Sequence, residues 1–326
     1  MSVQLTDKSI IYIACPAQQV TGGPEAAHQL FYKLRALGLN AQMYYFPGGV
    51  KAPVADRFLE YRPTYVTSIV DESEHLFIVP EVSTDLLSPY RKIRKAIWWL
   101  SIDNYHTIID NERELSKLKT IKRIITKKRS FSFDDQNADK YFHFAQSRYA
   151  YEVLKSKGLK NIYFLSDYLN SSYFNNLTKQ KKLNQVLYNP RKGIENTQLL
   201  MKASPELKWV PLENMTVTEV KTTLSVSKVY VDFGTHPGKD RFPREAVLNG
   251  CCIITGRAGS ANFYEDVPIP DKYKFENVVS SRGDIISLIK DCFTNYDVLS
   301  QDFNLYREQV MQGEQIFEKE IKEIFS

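Results

Sequence analysis

Long apolar runs are missing from this chain: none of its 326 residues belongs to a stretch near the ~20 apolar residues that a membrane span needs. The segment Met1 to Lys8 has no basic region followed by a hydrophobic core, so no secretory signal is read there and a cytoplasmic location is expected. Cysteine is scarce. Cys15, Cys251, Cys252 and Cys292 include no C-x-x-C pair and have no histidine cluster beside them, which excludes a disulfide framework or a zinc site and leaves reduced, buried thiols. The chain also lacks the G-x-G-x-x-G fingerprint and the P-loop lysine motif, so nicotinamide binding and nucleotide hydrolysis both lose support.

What is present describes an ordinary globular protein. Hydrophobic residues make up 43% and charged residues 25% of the chain, far from the composition of disorder. A single core stops growing near ~250 residues, so this length predicts two domains. Aromatics reach 13%, enough to wall a sugar or nucleotide cleft as well as fill a core. The net charge is +5, and the excess is clustered in Arg91-Lys92-Ile93-Arg94-Lys95 and in Lys117, Lys119, Lys122, Arg123, Lys127, Lys128 and Arg129. Such a basic face suits anionic lipid headgroups or a phosphorylated acceptor, and equally a solvated helix face. No nucleic-acid partner is expected.

The opening reads as strand Ile10 to Ala14, a turn, a helix Glu25 to Leu37 stopped by Gly38, and a second strand Ala41 to Phe46. That is a βαβ unit, the building block of a parallel sheet. Further strands are predicted at Tyr65 to Val70, Leu76 to Val79, Lys95 to Leu100, His143 to Gln146 and Ile162 to Leu165, with a helix over Ser147 to Lys157. Lysines 179, 181 and 182 mark a solvated linker, after which the pattern restarts. Its strands are Gln185 to Tyr188, Leu207 to Pro211, Lys228 to Phe233 and Cys251 to Thr255, and its helices Ile194 to Ala203, Thr216 to Ser225 and Pro243 to Asn249. A final amphipathic helix, Asn304 to Ile324, is placed to pack back on the first half. The expected domains are 1–178, 179–303 and that terminal helix, 304–326.

Parallel sheets bind ligands beyond the carboxyl ends of their strands, so the loops there carry the candidate chemistry. Gly22 and Gly23 open the first helix and let a backbone approach an anion or a sugar, or simply make a tight turn. His28 lies one turn further on. Asp103, after the strand Ala96 to Leu100, is a candidate general base or a helix cap, and Glu81 shares that ambiguity. The turn Asn189-Pro190-Arg191-Lys192-Gly193 sets cations beside a helix start, where a diphosphate would be neutralised. In Asp232 to Ala246, His236, Lys239, Arg241, Arg244 and Glu245 converge on a glycine-bearing strand-to-helix turn.

The second half, about Leu183 to Phe275, resembles the donor-binding domain of GT-B glycosyltransferases. The likeness rests on Asn189 to Gly193, on Trp209-Val210-Pro211-Leu212, on Ser227 to Asp232 and above all on Arg244-Glu245-Ala246-Val247-Leu248-Asn249-Gly250-Cys251-Cys252-Ile253-Ile254. The resemblance implies an α/β fold of two Rossmann-like domains facing a cleft. It implies that Glu245 holds the ribose of a nucleotide-sugar donor, that Arg191 or Lys192 meets its diphosphate, that Pro211 and Leu212 flank its base, and that Gly22 and Gly23 approach the transferred sugar. Trp98 to Asn104 and Ser166 to Asn170 are similar to segments of capsule or lipopolysaccharide enzymes, which implies a growing or lipid-linked surface glycan as acceptor, at the inner face of the plasma membrane. Retaining members often carry a further glutamate eight residues before the second; here that place is Pro237, so the stereochemistry stays open. No Asp-x-Asp occurs, the usual manganese anchor of the other main glycosyltransferase fold, so no metal and no cofactor are expected. The alternatives are a non-catalytic glycan-binding scaffold and a nucleotide-sugar-modifying Rossmann enzyme.

Overall fold

A computed structural model of the chain describes residues 3–114, 130–170, 173–174 and 181–325. The chain forms two compact units, one holding the residues up to Asp167 together with those from Gln315 onward, the other running from Tyr168 to Glu314.

The first unit is built on a seven-stranded sheet in the order β3-β2-β1-β4-β5-β6-β7, with β1 Ile11–Pro16, β2 Ala41–Phe46, β3 Tyr65–Val66, β4 Leu76–Pro80, β5 Arg94–Trp99, β6 Phe142–Ala145 and β7 Ile162–Phe164. Every pairing is parallel. Central strands of such a sheet are covered on both faces and so read as unbroken apolar runs. Ile11 to Cys15 and Phe77 to Val79 are accordingly all buried. Helix α1, Gly22–Ala36, follows β1, and Gly38 beyond it takes the left-handed conformation its stop requires.

Sequence and structure part at Ser101. The segment read as a loop is the start of helix α2, Ile102–Glu114, because the Ser101 hydroxyl accepts the Asn104 N–H at 3.2 Å and caps it. Helix α3, Arg148–Ser156, is capped in the same way by Ser147. Beyond Val66 the expected strand Tyr65 to Val70 does not continue.

The second unit carries five parallel strands in the order β12-β11-β10-β8-β9: β8 Leu183–Tyr188, β9 Lys208–Pro211, β10 Ser227–Asp232, β11 Cys252–Gly256 and β12 Lys274–Phe275. Helices α4 Ile194–Ala203, α5 Val217–Ser225, α6 Arg241–Leu248 and α7 Arg282–Thr294 accompany them. Helix α7 and strand β12 were not foreseen. Lys182, expected in a solvated linker, is half-buried. Its ammonium donates to the carbonyls of Leu224, Ser227 and Asn249, so it satisfies the carbonyl ends of α5 and α6.

The predicted terminal helix is two helices, α8 Asn304–Met311 and α9 Gly313–Phe325. Gly313 comes so close to Tyr168 that a Cβ there would lie 3.2 Å from the tyrosine's own Cβ. Helix α9 belongs with the first unit: Phe317 stacks on Trp98, Lys33 pairs with Glu318 at 2.5 Å, and the Ser166 N–H and hydroxyl both donate to Glu320. All four cysteines are buried and unpaired. Among the described residues no helix is long and apolar enough to cross a membrane.

The basic clusters fare differently. Lys117 to Arg129 lie outside the described residues. In Arg91 to Lys95 the backbone N–H groups of Arg91, Lys92 and Ile93 all donate to Asp71, and the Arg94 guanidinium donates to the carbonyls of Gln4, Glu74 and His75. Lys95 lies 5.5 Å over the Tyr141 ring. Only Arg91 and Lys92 of this run remain exposed.

Candidate functional site

In the second unit the chain runs from β8 to one side and returns through β10 on the other, so the ends of β8 and β10 form a topological switch point, the place where open parallel sheets take ligands. Three loops meet there by backbone contact. Gly193, with φ +57°, presses on the loop after β10; an added Cβ would lie 2.5 Å from the Phe233 carbonyl and the Gly234 nitrogen. Gly234 in return leaves no room beside the Lys192 Cβ. Gly259, with φ +55°, lies against the His236 carbonyl, and Ser260 fixes that approach with its N–H to His236 at 2.8 Å and its hydroxyl to Gly238 at 2.7 Å. Glycine is required at both positive-φ positions by conformation and by space.

Beneath these loops lies a line of alternating charges. The Asp240 carboxylate accepts from the Lys192 ammonium at 2.7 Å and stands 3.3 Å from His236 Nδ1. The other ring nitrogen, Nε2, is 3.6 Å from the Asp232 carboxylate and 3.5 Å from its carbonyl. Asp232 also accepts from the Tyr230 hydroxyl and the Gly234 N–H. The Nδ1 contact is an ion pair without hydrogen-bond alignment, and by geometry that nitrogen is otherwise unpartnered. Burial opposes a charge on His236, yet Asp240 and Asp232 raise it above the ordinary histidine value. Burial likewise opposes the Asp240 charge, and His236 and Lys192 overcome it, holding the carboxyl below the ordinary range. Asp232 is raised, chiefly by burial.

The start of α6 carries the remaining cations. Arg241 reaches Glu245 at 3.4 Å, donates to the Tyr173 hydroxyl at 2.6 Å and stacks over that ring. Arg244 turns inward and donates to the carbonyls of Asp240 and Lys239, so it braces the loop. Across the switch point, the Asn189 side chain accepts the Arg191 N–H at 3.0 Å and shapes the turn into α4. The exposed Arg191 guanidinium has no hydrogen-bond or ion-pair partner among the described residues. Pro211 ends β9 half-buried, and Leu212, buried, donates its N–H to Tyr188. A cavity of about 330 Å³ opens where β10, β11 and β12 end, walled by Phe233 and Phe275 with Asn196, Arg257, Glu276 and Asn277 as its polar side chains.

In the first unit, Gly22 and Gly23 begin α1 beside the end of β1, where the order also switches between β1 and β4; a Cβ on Gly23 would only graze Leu100, at 3.6 Å. His28 is deeply buried: Nδ1 donates to the Pro24 carbonyl at 2.7 Å, Nε2 accepts from Tyr45 at 2.8 Å, and the ring stacks on Phe58. Burial pushes it down to about 4. Glu81, also buried, accepts the Leu100 N–H at 3.0 Å, and burial raises it to about 8. Asp103 is half-buried in the first turn of α2 and accepts from the Tyr149 hydroxyl at 2.7 Å.

Among the described residues two groups have the composition of a metal site, and the hydrogen bonding of each disfavours one. In Asp232, His236 and Asp240, the Lys192 ammonium already occupies the Asp240 carboxylate at 2.7 Å, so an ion there would have to displace it. In Glu72, Glu74 and His75, the Nδ1 of His75 accepts the Ile10 N–H, which places the proton of the neutral ring on Nε2 and leaves it no lone pair for an ion. Sequence reading singled out His236 and Lys192 but passed over Asp232, Asp240, Tyr173, Asn196 and Tyr149. The i, i+4, i+8 spacing of Asp232, His236 and Asp240 was the one available signal.

No protein-family model and no curated protein matches the sequence. Solved structures do match. HepE from Anabaena, in complex with UDP-glucose, aligns over 96% of this chain and 98% of its own with a TM-score of 0.59 at 11% identity. Sucrose-phosphate synthase from Thermosynechococcus elongatus aligns over 96% and 99%, with a TM-score of 0.59 at 12% identity. The pneumococcal O-GlcNAc transferase GtfA, in complex with UDP and GlcNAc, aligns over 97% and 98%, with a TM-score of 0.59 at 11% identity. At such identities the likeness carries the fold, and the fold of this chain is GT-B: two Rossmann-like α/β domains, each on its own parallel sheet.

Proposed function

We propose that this chain is a glycosyltransferase that takes a sugar from a nucleotide-sugar donor and adds it to a surface glycan or its lipid-linked precursor. The carrying observation is the glycine-tied edge of the second unit, where Arg191 and Lys192 precede the N-terminus of α4 while Arg241, opening α6, pairs with Glu245 one turn further on. A leaving nucleoside diphosphate gathers negative charge as the glycosidic bond breaks, and cations at a helix start stabilise that charge. Arg191 and Lys192 take the diphosphate, Glu245 accepts from the ribose hydroxyls, and Pro211 and Leu212 flank the base. His236, Lys239 and Arg244 shape the loop between them. UDP is the first base to test, since HepE and GtfA were solved with UDP-glucose and with UDP.

The first unit supplies the acceptor side. Asp103, half-exposed and oriented by Tyr149, is the general base for the acceptor hydroxyl. Glu81 stays protonated at neutral pH and braces the Leu100 backbone, and His28, engaged at both nitrogens, anchors α1. Gly22 and Gly23 border the transferred sugar. The diphosphate is met by side-chain cations and a helix end, so the reaction runs without added divalent metal. Full activity in excess chelator supports that; activity lost to chelator and restored by manganese contradicts it.

A thermal-shift screen against UDP-, GDP-, dTDP- and CMP-sugars tests the reading. One nucleotide series raises the melting temperature, and the cognate sugar is consumed when acceptor is added. A flat response to every donor, with no donor hydrolysis, leaves a glycan-binding scaffold as the better account.

A further inference from the structure

The charge line under the second unit's loops has a property that neither the fold nor a phosphate grip requires. A lysine meant for a diphosphate is here already bonded to a carboxylate, Asp240, and an ammonium fully neutralised by one carboxylate offers little to a second anion. What changes the balance is His236. Its ring is buried between β10 and the start of α6, with one nitrogen toward Asp240 and the other toward Asp232. As an imidazolium it makes the row carboxylate, imidazolium, carboxylate, ammonium, in which Asp240 divides its charge between two cations. As a neutral ring it leaves Asp240 to Lys192 alone.

We propose that His236 is a positioning residue for the phosphate seat: held as an imidazolium between Asp232 and Asp240, it draws the Asp240 charge away from Lys192 and leaves that ammonium free to grip a diphosphate. This rests on the donor reading above and adds a protonation requirement to it. The other ionisable groups facing the row are fixed in kind. Tyr230 donates to Asp232 from the same strand, Arg244 braces Asp240 and Lys239 from α6, and Tyr306 of α8, together with Glu245 and Asp266, contributes at longer range. Tyr230 and Tyr306 are both pushed above the ordinary tyrosine range by burial and stay neutral, so His236 is the member of the row whose charge changes as pH rises past neutrality.

The sign follows. The folded-state value of His236 lies above the ordinary 6.5, so its charge is complete below that value and is lost as pH rises through the raised one. Phosphate affinity is therefore greatest on the acid side of that step.

The test is calorimetric titration of inorganic pyrophosphate into the full chain from pH 6 to 9, for the native protein and for His236→Gln. Taking the ratio of the two affinities cancels the ionisation of pyrophosphate itself. The native chain binds about tenfold more tightly than the variant at pH 6 and loses that advantage by pH 9, the change expected when one charge near the seat is removed. In parallel, the His236 ring is followed by NMR, assigned among the five histidines by its loss in the variant. Its titration midpoint lies above 6.5 in the native chain and falls in Asp240→Asn, which removes the carboxylate but keeps the side-chain shape. That second variant carries the test if His236→Gln does not fold: it flattens the pH dependence of pyrophosphate binding as well. Native binding with a ratio that stays constant across pH, or a His236 midpoint at or below 6.5, overturns the role of His236 while the donor site stands. No pyrophosphate binding at any pH overturns the phosphate seat, and with it both readings.

Discussion

The two sheet edges apply one physical force to their ionisable groups and obtain opposite results. In the first unit burial acts almost unopposed: His28 and His143 are driven down to about 4, and Glu81 up to about 8, so all three are predominantly neutral at pH 7. In the second unit His236 is buried as deeply and Asp240 is partly buried, yet both move toward their charged forms because each stands next to an opposite charge. Burial discharges an isolated group; a paired one keeps its charge where the pairing outweighs burial, as at His236 and Asp240, and not where burial prevails, as at Asp232. An edge of neutral, hydrogen-bonded groups suits a hydroxyl acceptor, and an edge of fixed cations over an ion-pair row suits an anionic donor.

The largest effect is expected at Asp103, half-buried in the first turn of α2 with the Tyr149 hydroxyl donating to it. Asp103→Asn is expected to lower kcat by about 10²–10⁴-fold, the usual contribution of general base catalysis, while donor affinity stays constant. Turnover equal to the native enzyme removes Asp103 from the chemistry. On the second edge, Gly259→Ala sets a Cβ against the His236 carbonyl at a left-handed φ and should cost about 3 kcal/mol of stability in urea unfolding. A loss under ~1 kcal/mol means the loops are not locked as described. Glu245→Ala should weaken nucleotide-sugar binding by roughly 1.5–3 kcal/mol, the worth of hydrogen bonds to a charged group, and an unaltered dissociation constant refutes the ribose contact.

The smallest effect is expected at Glu81. Because the folded-state value of Glu81 is raised from 4.5 to about 8, its contribution is complete at acid pH and drains away as pH rises across that window. Glu81→Gln keeps an acceptor for the Leu100 N–H and removes the titration. The variant should match the native chain near pH 4 and exceed its stability by about 1–2 kcal/mol between pH 5.5 and 6. Parallel pH–stability curves would show that Glu81 is not held neutral.

The sequence made the sheets legible because parallel strands are apolar on both faces: β2 and α4 fall on their predicted boundaries, and most other elements lie within three residues of theirs. It misled where polar residues cap or are capped. Ser101 opens α2 inside what reads as a polar loop, and Lys182 is drawn under two helix ends by carbonyls that composition does not reveal. The terminal helix reads as continuous by its apolar positions, but it breaks at Gln312, next to the close approach of Gly313 to Tyr168, a contact between distant parts of the chain. For the same reason the sequence offered Lys192 and His236 without Asp240, the carboxylate between them that gives the pair its physical meaning.

Hydrogen exchange of the full chain with and without a saturating nucleotide-sugar tests the central assignment most directly. Donor binding should slow exchange at 189–197 and 233–245, the turn into α4 and the loop into α6, and leave the His28 and Glu81 segments unchanged. Protection confined to the first unit would contradict the account.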